Sequence, residues 1–159
     1  MASATVFVPR DAAALSLGAE DVAQAIAAEA KARKIDVTVV RNGTRGMVWL
    51  EPLVEVALSH GRVGYGPVAA SDVRSLFDDD FLKGGKHPRN VGLVDEIPYF
   101  KTQERLTFAR VGVTDPVSLE DYIANDGYQG LMRSLAMSSA DIIKEVLDSG
   151  LRGRGGAAF

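Results

Sequence analysis

Three consecutive segments near the N-terminus constrain the fold most. Ala4–Pro9 (ATVFVP) is a short β-branched and aromatic run, Glu20–Lys34 (EDVAQAIAAEAKARK) is alanine-rich, and Ile35–Val40 (IDVTVV) returns to β-branched residues. The outer two read as strands, because branched and aromatic side chains pack well on a pleated surface. The middle one reads as a helix. Val22, Ile26 and Ala30 recur on one helical face, acids fill the first turn and bases the last, which complements the helix dipole. Strand, helix, strand in that order forms a right-handed crossover with parallel strands.

The next segments extend the sheet. After the loop RNGTRGMVWLEP come a third strand, Leu53–Leu58, a turn at Gly61 and a fourth strand. The short turn allows these two to pair as a hairpin. A helix follows over Ala70–Gly84, with Ser71 as its cap and Val73, Leu76 and Phe77 on one face. Residues 1–84 thus read as a small α/β domain with a mixed sheet, similar to a thioredoxin fold lacking some elements. Residues 85–103 hold glycines, two prolines and mixed charge, and read as a linker arm. From residue 104 the pattern resumes, with a strand over Arg105–Val111 and then three helical segments. The last has Ser138 as N-cap, Asp141 as its capping partner and Gly150 at the C′ position.

Composition removes several function classes. A net charge of −3 gives no general attraction to nucleic acid or an anionic membrane, and no apolar run approaches a membrane span. The N-terminus lacks the basic start and apolar core of a secretory signal, so cytoplasm is the default. There are no cysteines, which leaves out disulfides, thiolate iron–sulfur ligation and cysteine nucleophiles in these residues. His60 and His87 are far apart without ligand spacing, so no metal site is expected. The three aspartates of FDDDF (Phe77–Phe81) diverge around a helix end and read as solvated. Lys83, Lys86, His87, Arg89 and Lys101 read as a solvated or subunit-contacting surface. Met47 and Trp49 read as packing residues.

The last residues, SGLRGRGGAAF (Ser149–Phe159), are the chemically suggestive part. Gly153, Gly155 and Ala158 fit the dinucleotide spacing G-x-G-x-x-G/A. That fingerprint needs a strand before the first glycine, and here a helix precedes it, so the Rossmann reading fails. The composition still suits a phosphate. Residues without a β-carbon let a ligand approach backbone N–H groups, Arg152 and Arg154 add charge, and Phe159 offers a ring for stacking. A flexible basic tail is the plain alternative.

The same string resembles the GLRGRGGAGFPTG segment of the NADH-binding, FMN-containing subunits of respiratory complex I, NAD-linked hydrogenases and NAD-dependent formate dehydrogenases. The stretch before it is similar too. Gln103–Arg105, Gly112–Pro116 and Tyr122–Tyr128 match a Q-x-R run, a G-x-x-D-P turn and a Y-x-x-x-G-G-Y segment, with Asp126 where the family often has glycine. The resemblance covers residues 97–159. It implies that Gly153, Arg154, Gly155, Gly156, Ala157, Ala158 and Phe159 contact the FMN and nicotinamide nucleotides. It also implies that residues 104–159 begin an α/β flavoprotein domain, in whose start Tyr122 and Tyr128 pack. Ala158 stands where the family usually has glycine.

The N-terminal part resembles the thioredoxin-like ferredoxin domain of long family members, which holds a [2Fe–2S] cluster. Thr44 and Val48 stand where the second cysteine pair would be, and neither ligates iron as a thiolate does. The resemblance therefore implies a retained scaffold without its cluster, with Pro52 where thioredoxin folds place a cis-proline. The combination is most similar to the β subunit of the cytosolic molybdenum- or tungsten-dependent, NAD-linked formate dehydrogenases. Implied with it are FMN and NAD as cofactors, a [4Fe–4S] cluster only downstream of Phe159, and a place in a multi-subunit complex. Its expected partners are an iron–sulfur and molybdenum-type catalytic subunit and a small [2Fe–2S] thioredoxin-like subunit. No catalytic acid or nucleophile is expected in this stretch. The chain reads as an N-terminal fragment of a longer subunit that is inactive alone. Alternatives are a hydrogenase or complex I diaphorase subunit, or a non-catalytic docking subunit.

Overall fold

The computed structural model describes residues 3–156. It forms two compact units, residues 1–121 and 122–159. The first is built on a five-stranded mixed sheet in the order β2-β1-β3-β4-β5. Strand β1 (Ala4–Phe7) pairs in parallel with β2 (Val37–Val40) and antiparallel with β3 (Val54–Leu58). The hairpin of β3 with β4 (Gly61–Tyr65) places Val56 opposite Val63, and β4 continues antiparallel to β5 (Asn90–Leu93).

Between β1 and β2 run a short helix α1 (Ala12–Ser16) and the long helix α2 (Ala19–Arg33). Asp11 caps α1 by accepting from the amides of Ala13 and Ala14 at 3.1 and 3.3 Å. Helix α2 buries Val22, Ile26 and Ala30, the face read from their spacing. Against them pack Val6, Val54, Val56, Tyr65 and, from α3 (Val73–Asp78), Leu76. The Ala70–Gly84 helix is shorter than its pattern predicts. A 3-10 turn over Ala70–Asp72 leads into α3, and a second, Phe81–Lys83, follows Asp80 in the left-handed region at φ 54°. Ser71 does not cap it. The Asp72 carboxylate accepts from the Ala69 amide instead, at 3.0 Å.

Alternation along β3 splits its side chains between two faces. Val54 and Val56 join the helix-side core, while Leu53 joins a second cluster with Met47, Val94 and Phe100. Val94 and Phe100 of that second cluster come from residues 85–103, which read as an arm. The stretch contributes β5, a 3-10 turn over Val94–Glu96 and a short helix α4 (Pro98–Lys101). It closes over Gly64, where an added Cβ would sit 3.0 Å from both Val91 and Val94. The Glu51–Pro52 peptide before β3 is cis, as is Gly66–Pro67.

Arg105–Val111 does not form the expected strand but a series of turns. It pairs with neither edge strand of the sheet, β2 or β5, and Leu106 and Phe108 are exposed. Helices α5 (Leu119–Ala124), α6 (Gln129–Leu135) and α7 (Ser139–Asp148) match the three predicted helical segments. Ser138 caps α7 by accepting from the Asp141 amide at 3.2 Å, and Gly150 follows at φ 63° as a C′ glycine. Among the described residues these three helices bury no side chain, and Leu135 and Leu147 remain exposed. None of the described helices is long and apolar enough to cross a membrane.

Candidate functional site

The loop from Arg41 to Leu53 carries the positions where the resemblance would place cluster cysteines. Thr44 donates to Glu51 Oε1 at 2.6 Å and accepts from the Gly46 amide at 3.0 Å. Glu51 Oε2 accepts from the Leu53 amide at 3.0 Å. Val48 opens a 3-10 turn over Val48–Leu50 and is exposed. A hydroxyl committed to a carboxylate and an alkyl side chain do not fit an iron–sulfur cluster. Met47 is fully buried in the second cluster. Trp49 is 60% exposed and meets Tyr99 edge-to-face at 5.1 Å, so it packs from the surface and not in the core.

Beneath this loop lies an ionic network that sequence reasoning missed. Glu55, on the same face of β3 as Leu53, accepts two bonds from Arg45 at 2.8 Å each and a third from Arg62 at 3.3 Å. Glu55 is 1% exposed and Arg45 6%. Two guanidiniums thus share one buried carboxylate. Burial opposes the charge on Arg45, but the Glu55 contacts outweigh it and hold the guanidinium above its usual range. For Arg62 burial wins and the shift is downward, with Glu55 opposing. The Arg62 guanidinium also lies 3.4 Å from the Phe7 ring centre. Glu51 is pushed up, by burial first, against the hydrogen bonds from Thr44 and Leu53. A glutamate inside the otherwise apolar LVEVAL run is the one signal that could have revealed the network. Its partners lie 10 and 7 residues away, with no periodic relation to it.

The network holds main chain as well. Arg62 donates to the carbonyls of Gly112 and Val113 at 3.1 and 2.9 Å, and Asn42 Nδ2 donates to Gly112 at 2.7 Å. Beside it, Thr44, Gly46, Tyr99, Arg105 and Phe108 line a groove of about 680 Å³. Among the described residues no group of three or more His, Cys, Asp or Glu side chains converges as a metal site.

The glycine-rich loop is exposed and irregular over Gly153–Gly156. Ala157, Ala158 and Phe159 lie outside the described residues. An added Cβ at Gly155 or Gly156 would meet nothing within 4 Å, so no cradle is formed around them by the described residues. Glycine amides and arginines are the donor types that hold phosphate. Backbone N–H groups are accessible, and neither Arg152 nor Arg154 is engaged in an ion pair or hydrogen bond among the described residues. The loop and the Arg45–Glu55–Arg62 network fall in different compact units.

The other singled-out residues have ordinary roles. Asp78 binds Arg33 at 2.6 Å and Asp80 binds Lys83 at 2.8 Å, so the aspartates diverge. Lys101 pairs with Glu96 at 2.5 Å and Arg89 with Asp72 at 3.1 Å. Tyr122 and Tyr128 meet edge-to-face at 4.9 Å.

No family model matches the chain. Part of it is 49% identical, over 59 residues, to the NADP-reducing hydrogenase subunit HndC of Solidesulfovibrio fructosivorans, a stretch covering 37% of this chain and 12% of that protein. It is 52% identical over 42 residues to an NADH-quinone oxidoreductase subunit of Streptomyces coelicolor, covering 26% of this chain and 9% of the relative. The corresponding NADH-quinone oxidoreductase subunit of Escherichia coli is 44% identical over 45 residues, covering 28% and 10%. The matched stretches thus span about a tenth of these relatives' lengths. Among solved structures, a thioredoxin-like [2Fe-2S] ferredoxin from Aquifex aeolicus aligns with a TM-score of 0.48 and 20% identity, over 58% of this chain and 99% of that one.

Proposed function

We propose that this chain is part of a diaphorase subunit that passes electrons between NAD and iron–sulfur centres through FMN. The observation that carries the reading is the 49% identity over 59 residues to a hydrogenase subunit, with similar stretches in NADH-quinone oxidoreductase subunits. When bound, the flavin supplies the hydride and single-electron chemistry. The chain's own residues bind and orient. Gly153, Gly155 and Gly156 would let the nucleotide approach backbone N–H groups, and Arg154 would neutralise phosphate charge. Ala157, Ala158 and Phe159 would complete the contact, Phe159 by stacking. In this reading the protein works in a multi-subunit complex in the cytoplasm, with an iron–sulfur and molybdenum-type subunit and a small [2Fe–2S] thioredoxin-like subunit.

Within that class we favour NAD-linked formate oxidation. Its support is the pairing of a cluster-free N-terminal domain, in which Thr44 and Val48 replace cysteines, with the flavin-loop motif. The test is NAD reduction by the native assembly with formate or hydrogen as the donor. Reduction with formate alone supports the finer reading. Reduction with hydrogen alone would replace it with a hydrogenase and leave the diaphorase role standing. Absence of flavin and of NADH oxidation would sink both.

A further inference from the structure

Between Lys101 and Asp121 the chain buries one residue, Gly112. Leu106 is 89% exposed, Phe108 62% and Val117 71%, so no large apolar side chain anchors this stretch. Its attachment is polar: beside the hydrogen bonds that follow, the Arg105 guanidinium lies 4.5 Å from the Phe100 ring centre. The Gly112 carbonyl accepts from Asn42 Nδ2 and Arg62, and the Val113 carbonyl accepts from Arg62. Arg62 is held in place from below. Arg62 is bonded to Glu55, and Arg45, bonded twice to the same carboxylate, forms the wall against which Gly112 rests. An added Cβ at Gly112 would lie 2.3 Å from Arg45 Cδ, and the residue sits at φ +80°. Arg45 cannot yield without breaking its paired bonds to Glu55.

Other hydrogen bonds lie within the stretch or run to its C-terminal neighbour. Val113 donates to the Arg110 carbonyl at 3.0 Å, Val117 donates to Asp115 Oδ1 at 3.0 Å, and Asp115 donates to Asp121 Oδ2 at 2.6 Å. These turns survive detachment from the sheet. Segments with few buried apolar contacts open well below the cost of global unfolding. One acceptor in the clasp is also left over, since Asn42 Oδ1 is buried without a partner.

We propose that residues 104–118 form a strap that opens and closes as a unit, fastened by a clasp in which Asn42 and Arg62 hold the Gly112 and Val113 carbonyls. Opening hydrates the Arg45–Glu55–Arg62 network while the sheet stays folded. The strap is independent of the diaphorase reading and stands or falls on the dynamics of this segment.

Native-state hydrogen exchange on the wild-type chain and on Asn42→Ala and Arg62→Ala variants tests it. In the wild type, amides of 104–118 should exchange faster than those of β3 and β4. Arg62→Ala, which removes two charge-assisted bonds, should speed the strap amides by about tenfold or more, and Asn42→Ala, which removes one neutral bond, by about fivefold. The β1, β3 and β4 amides should hold their rates in Asn42→Ala, which leaves the Glu55 network intact even if Arg62→Ala destabilises the sheet. Trypsin cleavage after Arg105 and Arg110 should accelerate in parallel. Strap amides that exchange only together with the sheet, or that ignore the Asn42 substitution, would overturn the proposal.

Discussion

Glu55 is the carboxylate that joins the buried ionic network. It is nearly inaccessible, and two guanidiniums share its oxygens. Removing it strands Arg45 and Arg62 as cations at a buried site. Glu55→Ala should cost about 3–5 kcal/mol, the range for breaking a buried ion pair, read by chemical denaturation. A loss below about 1 kcal/mol, typical of exposed pairs, would mean that water reaches the network freely. Glu51 gives a pH signature of opposite sense to most carboxylates. Its folded pKa is raised above the ordinary 4.5, by burial. The folded state then holds a proton that the unfolded state has lost, so this group's contribution is full at low pH and falls as pH rises through the raised value. Glu51→Gln should flatten that fall on the alkaline side of 4.5. An unchanged slope would remove Glu51 as its source.

At the scale of elements, legibility followed periodicity. Helix α2 and the β3–β4 hairpin declare themselves through repeated apolar spacing and a short turn, and both formed where expected. Strand β5 does not declare itself, because NVGL is four residues long, contains Gly92 and closely follows Pro88. Its strand state is imposed by pairing with β4 and by the apolar cluster it helps close, which are tertiary effects. Arg105–Val111 fails in the other direction. RLTFARV has strand-like composition but pairs with neither edge strand, and it stays in turns. The split helix after Ala69 reflects a similar override, since Asp72, not Ser71, answers the free amide. The second cluster makes a direct test of the arm's role. Phe100 is 8% exposed within it, and Phe100→Ala should cost about 3–5 kcal/mol if that cluster is a real core. A loss under about 0.5 kcal/mol would return residues 85–103 to a surface appendage.

For the molecule as a whole, the candidate cofactor loop was legible only as chemistry. Glycines and arginines in SGLRGRGGAAF point to phosphate, and its similarity to a family motif supplies the flavin and nicotinamide. Its geometry is not fixed by local sequence, because nothing described packs within 4 Å of where a Cβ at Gly155 or Gly156 would lie. The ionic network was illegible for the converse reason. Its geometry is strict, but its members are scattered from Asn42 to Val113 and meet only through the fold. The central proposal is a flavin reduced by NADH beside Gly153–Phe159. Its most direct test is the anaerobic bleaching of flavin absorbance when NADH is added to the native assembly, compared between wild type and Arg154→Ala. Wild type should bleach, and the variant should need at least about tenfold more NADH, the loss expected for one charge-assisted phosphate contact. An assembly without flavin, or one that bleaches at the same NADH concentration in both forms, would contradict the assignment of this loop to the nucleotide site.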